Sequence, residues 1–90
     1  MDTIKIKKGF MLREVSGSFV VVPVGAASKE FKGLITLNST GAFLWKELLL
    51  GKTLEELKQA LLNEYDVSEE IATRDCEQFI KKLVDGGLVE

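Results

Sequence analysis

The chain reads as an α+β domain, with a three-stranded antiparallel sheet in its N-terminal part followed by three helices. Three observations predict this. Alternating and β-branched runs separated by turn residues occupy the stretch before Asn38. After Asn38 the apolar spacing becomes helical, and three cap signals follow in turn. Ninety residues are enough for one hydrophobic core, so residues 1–90 are expected to form a single domain.

The elements follow in order. The first segment is basic, with Ile4 and Ile6 set among Lys5, Lys7 and Lys8. It fits an edge strand, an extended arm or a frayed terminus. Phe10–Val15 alternates loosely, and residues 19–22 are rich in β-branched side chains. Ser16-Gly17 between them suits a tight two-residue turn, so the two runs are expected to form a hairpin. Pro23 has no N–H to give to a ladder and marks the end of the second strand. Gly25-Ala26-Ala27-Ser28-Lys29-Glu30 is small and polar and is expected to be a loop. Gly33, Leu34, Ile35, Thr36 and Leu37 then form a third strand.

The first helix starts where Asn38 and Ser39 offer side-chain oxygens to free backbone N–H groups, and it stops at Gly51. At about 100° per residue, Leu44, Trp45, Leu48 and Leu49 share its core face. Phe43 and Leu50 fall on the other side, so this helix is expected to be packed on more than one face. Thr53-Leu54-Glu55-Glu56 has the pattern of a capping box and opens the second helix. Its core stripe is Leu54, Leu57, Leu61 and Tyr65. Ser68 is the expected cap of the third helix, with Glu69 and Glu70 at the positive end of its dipole. Ala72, Cys76, Phe79, Ile80 and Leu83 form the core face. Gly86-Gly87 ends the helix, and Leu88 and Val89 are expected to fold back onto the core. Three short helices with tight breaks resemble a helix-turn-helix core flanked by the sheet.

Composition excludes several functions. There is no His and only one Cys. That removes the commonest general base, the commonest metal ligand and any internal disulfide. No cofactor or metal site is expected. Cys76 lies on a core face with no His or local positive cluster to activate it, and the paired carboxylates sit where helix starts favour acids anyway. No catalytic constellation remains, so the chain is not expected to be an enzyme. No apolar run approaches the roughly 18 residues a membrane span needs, and the start lacks a signal peptide's apolar stretch. A soluble, cytoplasmic protein without a membrane partner is the expectation. DNA binding through the third helix is disfavoured. Glu69, Glu70, Asp75, Glu77 and Asp85 oppose Arg74, Lys81 and Lys82, on a chain of net charge −2.

One feature is left over. The third strand has no evident cover, and an open strand edge is a template for another chain. Ile71, Asp75, Gln78 and Lys82 lie along one flank of the third helix. If helix and strand are neighbours, they bound a groove in which a peptide could add as a strand. Alternatively, Ile71 simply touches the break at residues 66–68.

The stretch Leu37-Asn38-Ser39-Thr40-Gly41-Ala42-Phe43-Leu44-Trp45 resembles the L-N-x-T-G-x-x-hydrophobic-W signature of the PqqD-like proteins. Later landmarks fit as well: Gly51-Lys52-Thr53-Leu54-Glu55-Glu56-Leu57, then Glu64-Tyr65-Asp66-Val67, then Asp75 with Phe79 and Leu83, then Gly86-Gly87-Leu88-Val89. The resemblance implies a winged helix-turn-helix-like domain. It also implies a peptide chaperone that recognises the leader of a ribosomally synthesised, post-translationally modified peptide. Such a protein presents the leader to a modifying enzyme, often a radical S-adenosylmethionine enzyme, in pathways that include lasso peptides and pyrroloquinoline quinone. The leader would pair with Gly33, Leu34, Ile35, Thr36 and Leu37, beside a wall of Ile71, Asp75, Gln78 and Lys82. The rival readings are a DNA-binding winged helix and a module that docks only on a partner enzyme. An unprotected edge would also allow two copies to pair as a homodimer.

Overall fold

The computed structural model describes residues 3–25 and 35–90. The expected loop after Gly25, and Gly33 and Leu34 of the expected third strand, lie outside the described residues. The elements are β1 (Phe10–Val15), β2 (Ser18–Pro23), β3 (Ile35–Leu37), α1 (Ser39–Leu49), α2 (Leu54–Glu64) and α3 (Glu69–Asp85). The α+β order of three strands followed by three helices is as expected.

The sheet is antiparallel throughout, in the order β1-β2-β3. Ser16 and Gly17 both take positive φ, 52° and 80°. That is the requirement of a type I′ turn, whose twist matches the strands it joins. The turn sets Val15 opposite Ser18, and Pro23 closes the far end opposite Phe10. On β2, Val21 is fully buried and pairs with Ile35 of β3, while Phe19 pairs with Leu37.

All three helix starts are capped as the sequence predicts. Gly41 N donates to Asn38 Oδ1 at 2.7 Å. Glu56 N donates to Thr53 Oγ1 at 3.2 Å, and Thr53 N returns a bond to Glu56 Oε1 at 2.9 Å. Ile71 N donates to Ser68 Oγ at 3.2 Å. Each bond satisfies a donor that the helix itself leaves free. The end of α3 is a Schellman motif. Gly87 takes φ of 75°, Leu88 N donates to Leu83 O at 2.9 Å, and Gly87 N donates to Val84 O at 3.0 Å. That geometry turns Leu88 back into the core, where it is fully buried.

Trp45 is the largest buried side chain, surrounded by Leu44, Leu48, Leu57, Leu61, Ala72, Cys76 and Leu83. Its indole N–H finds no acceptor among the described residues. Phe43, on the other side of α1, meets Tyr65 edge-on, with ring centroids 5.6 Å apart. Leu49 departs from the sequence reading. It was expected on the core face but is 47% exposed. It stands in the last turn of α1, just before the chain reverses at Gly51, and the helices that cover Leu44, Trp45 and Leu48 do not reach it.

The N-terminal segment resolves into an arm. Ile4 exchanges backbone bonds with Lys52 at 2.7 and 3.1 Å. Lys7 N donates to Leu88 O at 2.8 Å, and Glu90 N donates to Lys5 O at 2.9 Å. Ile6 lies between these ties, only 3% exposed. The arm also completes α1. Gly51 N bonds to Leu48 O, but the next donor, Lys52 N, goes to Ile4 O rather than back to the helix.

Candidate functional site

The site is built by β3 and α3, which meet only in the folded chain. β3 pairs with β2 along one edge; among the described residues no strand pairs with the other. The strand alternates as a half-buried element should: Thr36 is exposed, while Ile35 and Leu37 turn toward the core.

The helix α3 runs past the strand in the opposite sense. Ile35 Cδ1 lies 3.8 Å from the point where a side chain on Gly86 would begin. One turn back, Lys82 Nζ donates to Thr36 O at 3.3 Å. Between strand and helix is a cleft of about 330 Å³. Thr36 and Leu37 border it from β3, and Asn38, Thr40, Gly41 and Leu44 from the strand-to-helix junction. Asp75, Gln78, Phe79 and Lys82 form the helical wall. The floor is apolar, since Leu37, Leu44 and Phe79 are all buried.

Gly41 keeps this junction tight. A Cβ there would stand 3.3 Å from both Asn38 Oδ1 and Leu37 Cβ. The first turn of α1 can therefore lie directly against the end of β3. The sequence reading did not include Asn38, Thr40, Gly41, Leu44 or Phe79 as site residues. From sequence, Asn38, Thr40 and Gly41 read as helix start and family signature, and Leu44 and Phe79 as core, because nothing local in the sequence shows that they border a cleft.

Of the expected site residues, the structure brings Thr36, Leu37, Asp75, Gln78 and Lys82 around one cleft. Ile35 is at the strand's inner face. Ile71 does not border this cleft; it is 38% exposed in a more open, adjoining depression with Glu69, Glu70, Arg74 and Glu77, and Gln78 borders both. The reason is length. Ile71 and Lys82 share a helical flank but are about 16 Å apart along the axis at 1.5 Å per residue. The chain has already left β3 for α1 before it reaches the level of Ile71.

Chemically, this arrangement can hold an extended chain. It has backbone groups for a ladder, an apolar floor for side chains, and polar groups at the rim. The only thiol, Cys76, is buried behind the helical wall; burial first, then the Asp75 charge, pushes it up to about 11. Among the described residues no group of three potential metal ligands occurs, and no helix is long and apolar enough to cross a membrane.

A small α+β domain with an open strand edge walled by a helix has the form of a strand-accepting domain. Residues 11–89 match the family described as coenzyme PQQ synthesis protein D (PqqD), and the chain belongs to that family. No curated protein matches the chain significantly. Among solved structures, it is similar to TbiB1 in complex with the TbiA(beta) leader peptide. That match has a TM-score of 0.74 at 24% identity, covering 96% of this chain and 94% of the other. It is also similar to a lasso peptide synthetase B1 complexed with the leader peptide. The TM-score there is 0.73 at 21% identity, covering 97% of this chain and 96% of the other.

Proposed function

We propose that this chain binds the leader segment of a ribosomally synthesised precursor peptide by β-strand addition and presents it to a modifying enzyme. The observation that carries this is the cleft between the open edge of β3 and α3. Family membership supports it, as do two structures of the same fold that each hold a leader peptide. The leader pairs with the backbone of Gly33, Leu34, Ile35, Thr36 and Leu37, which gives affinity with little dependence on side chains. Asp75, Gln78 and Lys82 supply the wall that discriminates. Ile71 meets only a leader that continues past the end of β3.

The protein itself is non-catalytic and works in the cytoplasm as a single domain. Its effect on the reaction is to raise the local concentration of substrate at its partner. A radical S-adenosylmethionine enzyme is one such partner. Without a leader, the same edge is open to a second copy of the chain.

The test is a titration of a synthetic leader, taken from a precursor encoded beside this chain, into isotope-labelled protein. Amide shifts are expected at residues 33–37 and at Asp75, Gln78 and Lys82. Shifts confined to other faces, or none with any leader encoded nearby, would replace this reading with an enzyme-docking module.

A further inference from the structure

The cleft carries two ionisable side chains, and among the described residues only one is paired with an opposite charge. Asp75 lies 3.6 Å from the guanidinium of Arg74. Lys82 makes no ion pair among the described residues; its ammonium rests on the neutral carbonyl of Thr36 at 3.3 Å. The acid one turn further along, Asp85, is engaged by Lys81 at 3.8 Å. A bond of that length, at an exposed site, is weak and easily exchanged. The carbonyl it covers belongs to the strand whose outer edge is unpaired. Lysine is a residue that blunts such edges.

We propose that Lys82 is a specificity-determining residue. It guards the β3 edge in the free protein and reads an aspartate or glutamate side chain in the bound peptide. This inference rests on the peptide-binding reading above. The mechanism is an exchange of partners. A backbone N–H of the added strand takes over the Thr36 carbonyl, and the displaced ammonium turns to a carboxylate on the peptide face directed toward α3. The carboxylate sits at the rim of a cleft floored by Leu44 and Phe79. An ion pair there is less screened than on open surface. A peptide without the acid leaves the ammonium with neither its old acceptor nor a new one. Because strand side chains alternate, the acid marks one face and fixes the register.

The probe is a displayed library of random peptides, selected on the full chain and on Lys82→Glu and Lys82→Gln. Both changes are at an exposed position, and circular dichroism checks that each variant is folded. Wild type is expected to enrich a motif with Asp or Glu at one aligned position. Lys82→Glu should switch that position to Lys or Arg with the rest of the motif kept, and Lys82→Gln should abolish the preference. Replacing the acid by its amide in a selected peptide should weaken binding to wild type on the order of fivefold. An enriched motif with no acidic position, or one unchanged on Lys82→Glu, overturns the role of Lys82 and leaves peptide binding intact. A library that yields no enriched sequence on wild type overturns peptide binding and this proposal together.

Discussion

Asn38 does two jobs in one position. It ends β3 and caps α1, so its Oδ1, bonded to Gly41 N at 2.7 Å, fixes how the strand enters the helix. Asn38→Ala is expected to cost about 1 kcal/mol in chemical denaturation, while Asn38→Asp or Asn38→Ser should recover most of it. Equal losses for Ala and Ser would show that the cap is not the source. Glu56 shows a second local effect. Its carboxyl is held below the usual glutamate range, first by the Thr53 backbone N–H; desolvation opposes this, and the Thr53 hydroxyl and then Lys52 lower it further. A depressed folded-state value means the charged form is favoured on folding. The resulting stability is present above the unfolded glutamate value and lost as pH falls through the folded one. The stability difference between wild type and Glu56→Gln should therefore shrink as pH falls below ~4. A difference that stays flat down to strongly acid pH would rule out a charged capping box.

At the scale of elements, the cleft depends on how far two of them run together. β3 gives way to α1 at Asn38, whereas α3 runs for seventeen residues. The cleft is walled by α3 from Asp75 to Lys82, and Ile71, one turn before Asp75, does not border it. This gives a test of register. Ile71→Ala should leave the affinity of a leader fragment that ends with β3 unchanged. It should weaken a longer leader by on the order of fivefold, as loss of about 1 kcal/mol of apolar contact would. Equal weakening of both fragments, measured by calorimetry, would mean that the peptide lies along the whole helix instead. The arm is the other element whose role depends on reach. It supplies the acceptor for Lys52 N that α1 does not, and then touches the turn beyond α3.

For the molecule as a whole, the arm closes the core. Ile6 is buried between the ties to Lys52 and Leu88, and so links the α1–α2 junction with the end of the chain. Ile6→Ala is expected to cost roughly 2–4 kcal/mol in urea unfolding. That is a large share of the roughly 5–15 kcal/mol that holds a domain together. A loss below about 0.5 kcal/mol would place Ile6 in solvent. The same side chain looked, from sequence, as compatible with a frayed terminus as with an arm.

The line between what was legible and what was not follows the range of the forces. Caps, the Ser16-Gly17 turn, the Schellman ending and the stripes of α2 and α3 are written within a few residues, because their bonds close within a few residues. They could be read directly, and with them the α+β order and the presence of an open strand followed by a buried helix. Leu49 and Ile6 could not be placed in this way. Periodicity says which residues share a face, while the length and position of the covering elements decide whether that face is covered. The cleft is of the second kind. Thr36 and Lys82 are 46 residues apart, and their meeting depends on α3 packing antiparallel to β3 over a common floor of Leu37, Leu44 and Phe79. Sequence alone marked out the strand and the helical flank; only the packing of one on the other decided which of those residues share a site.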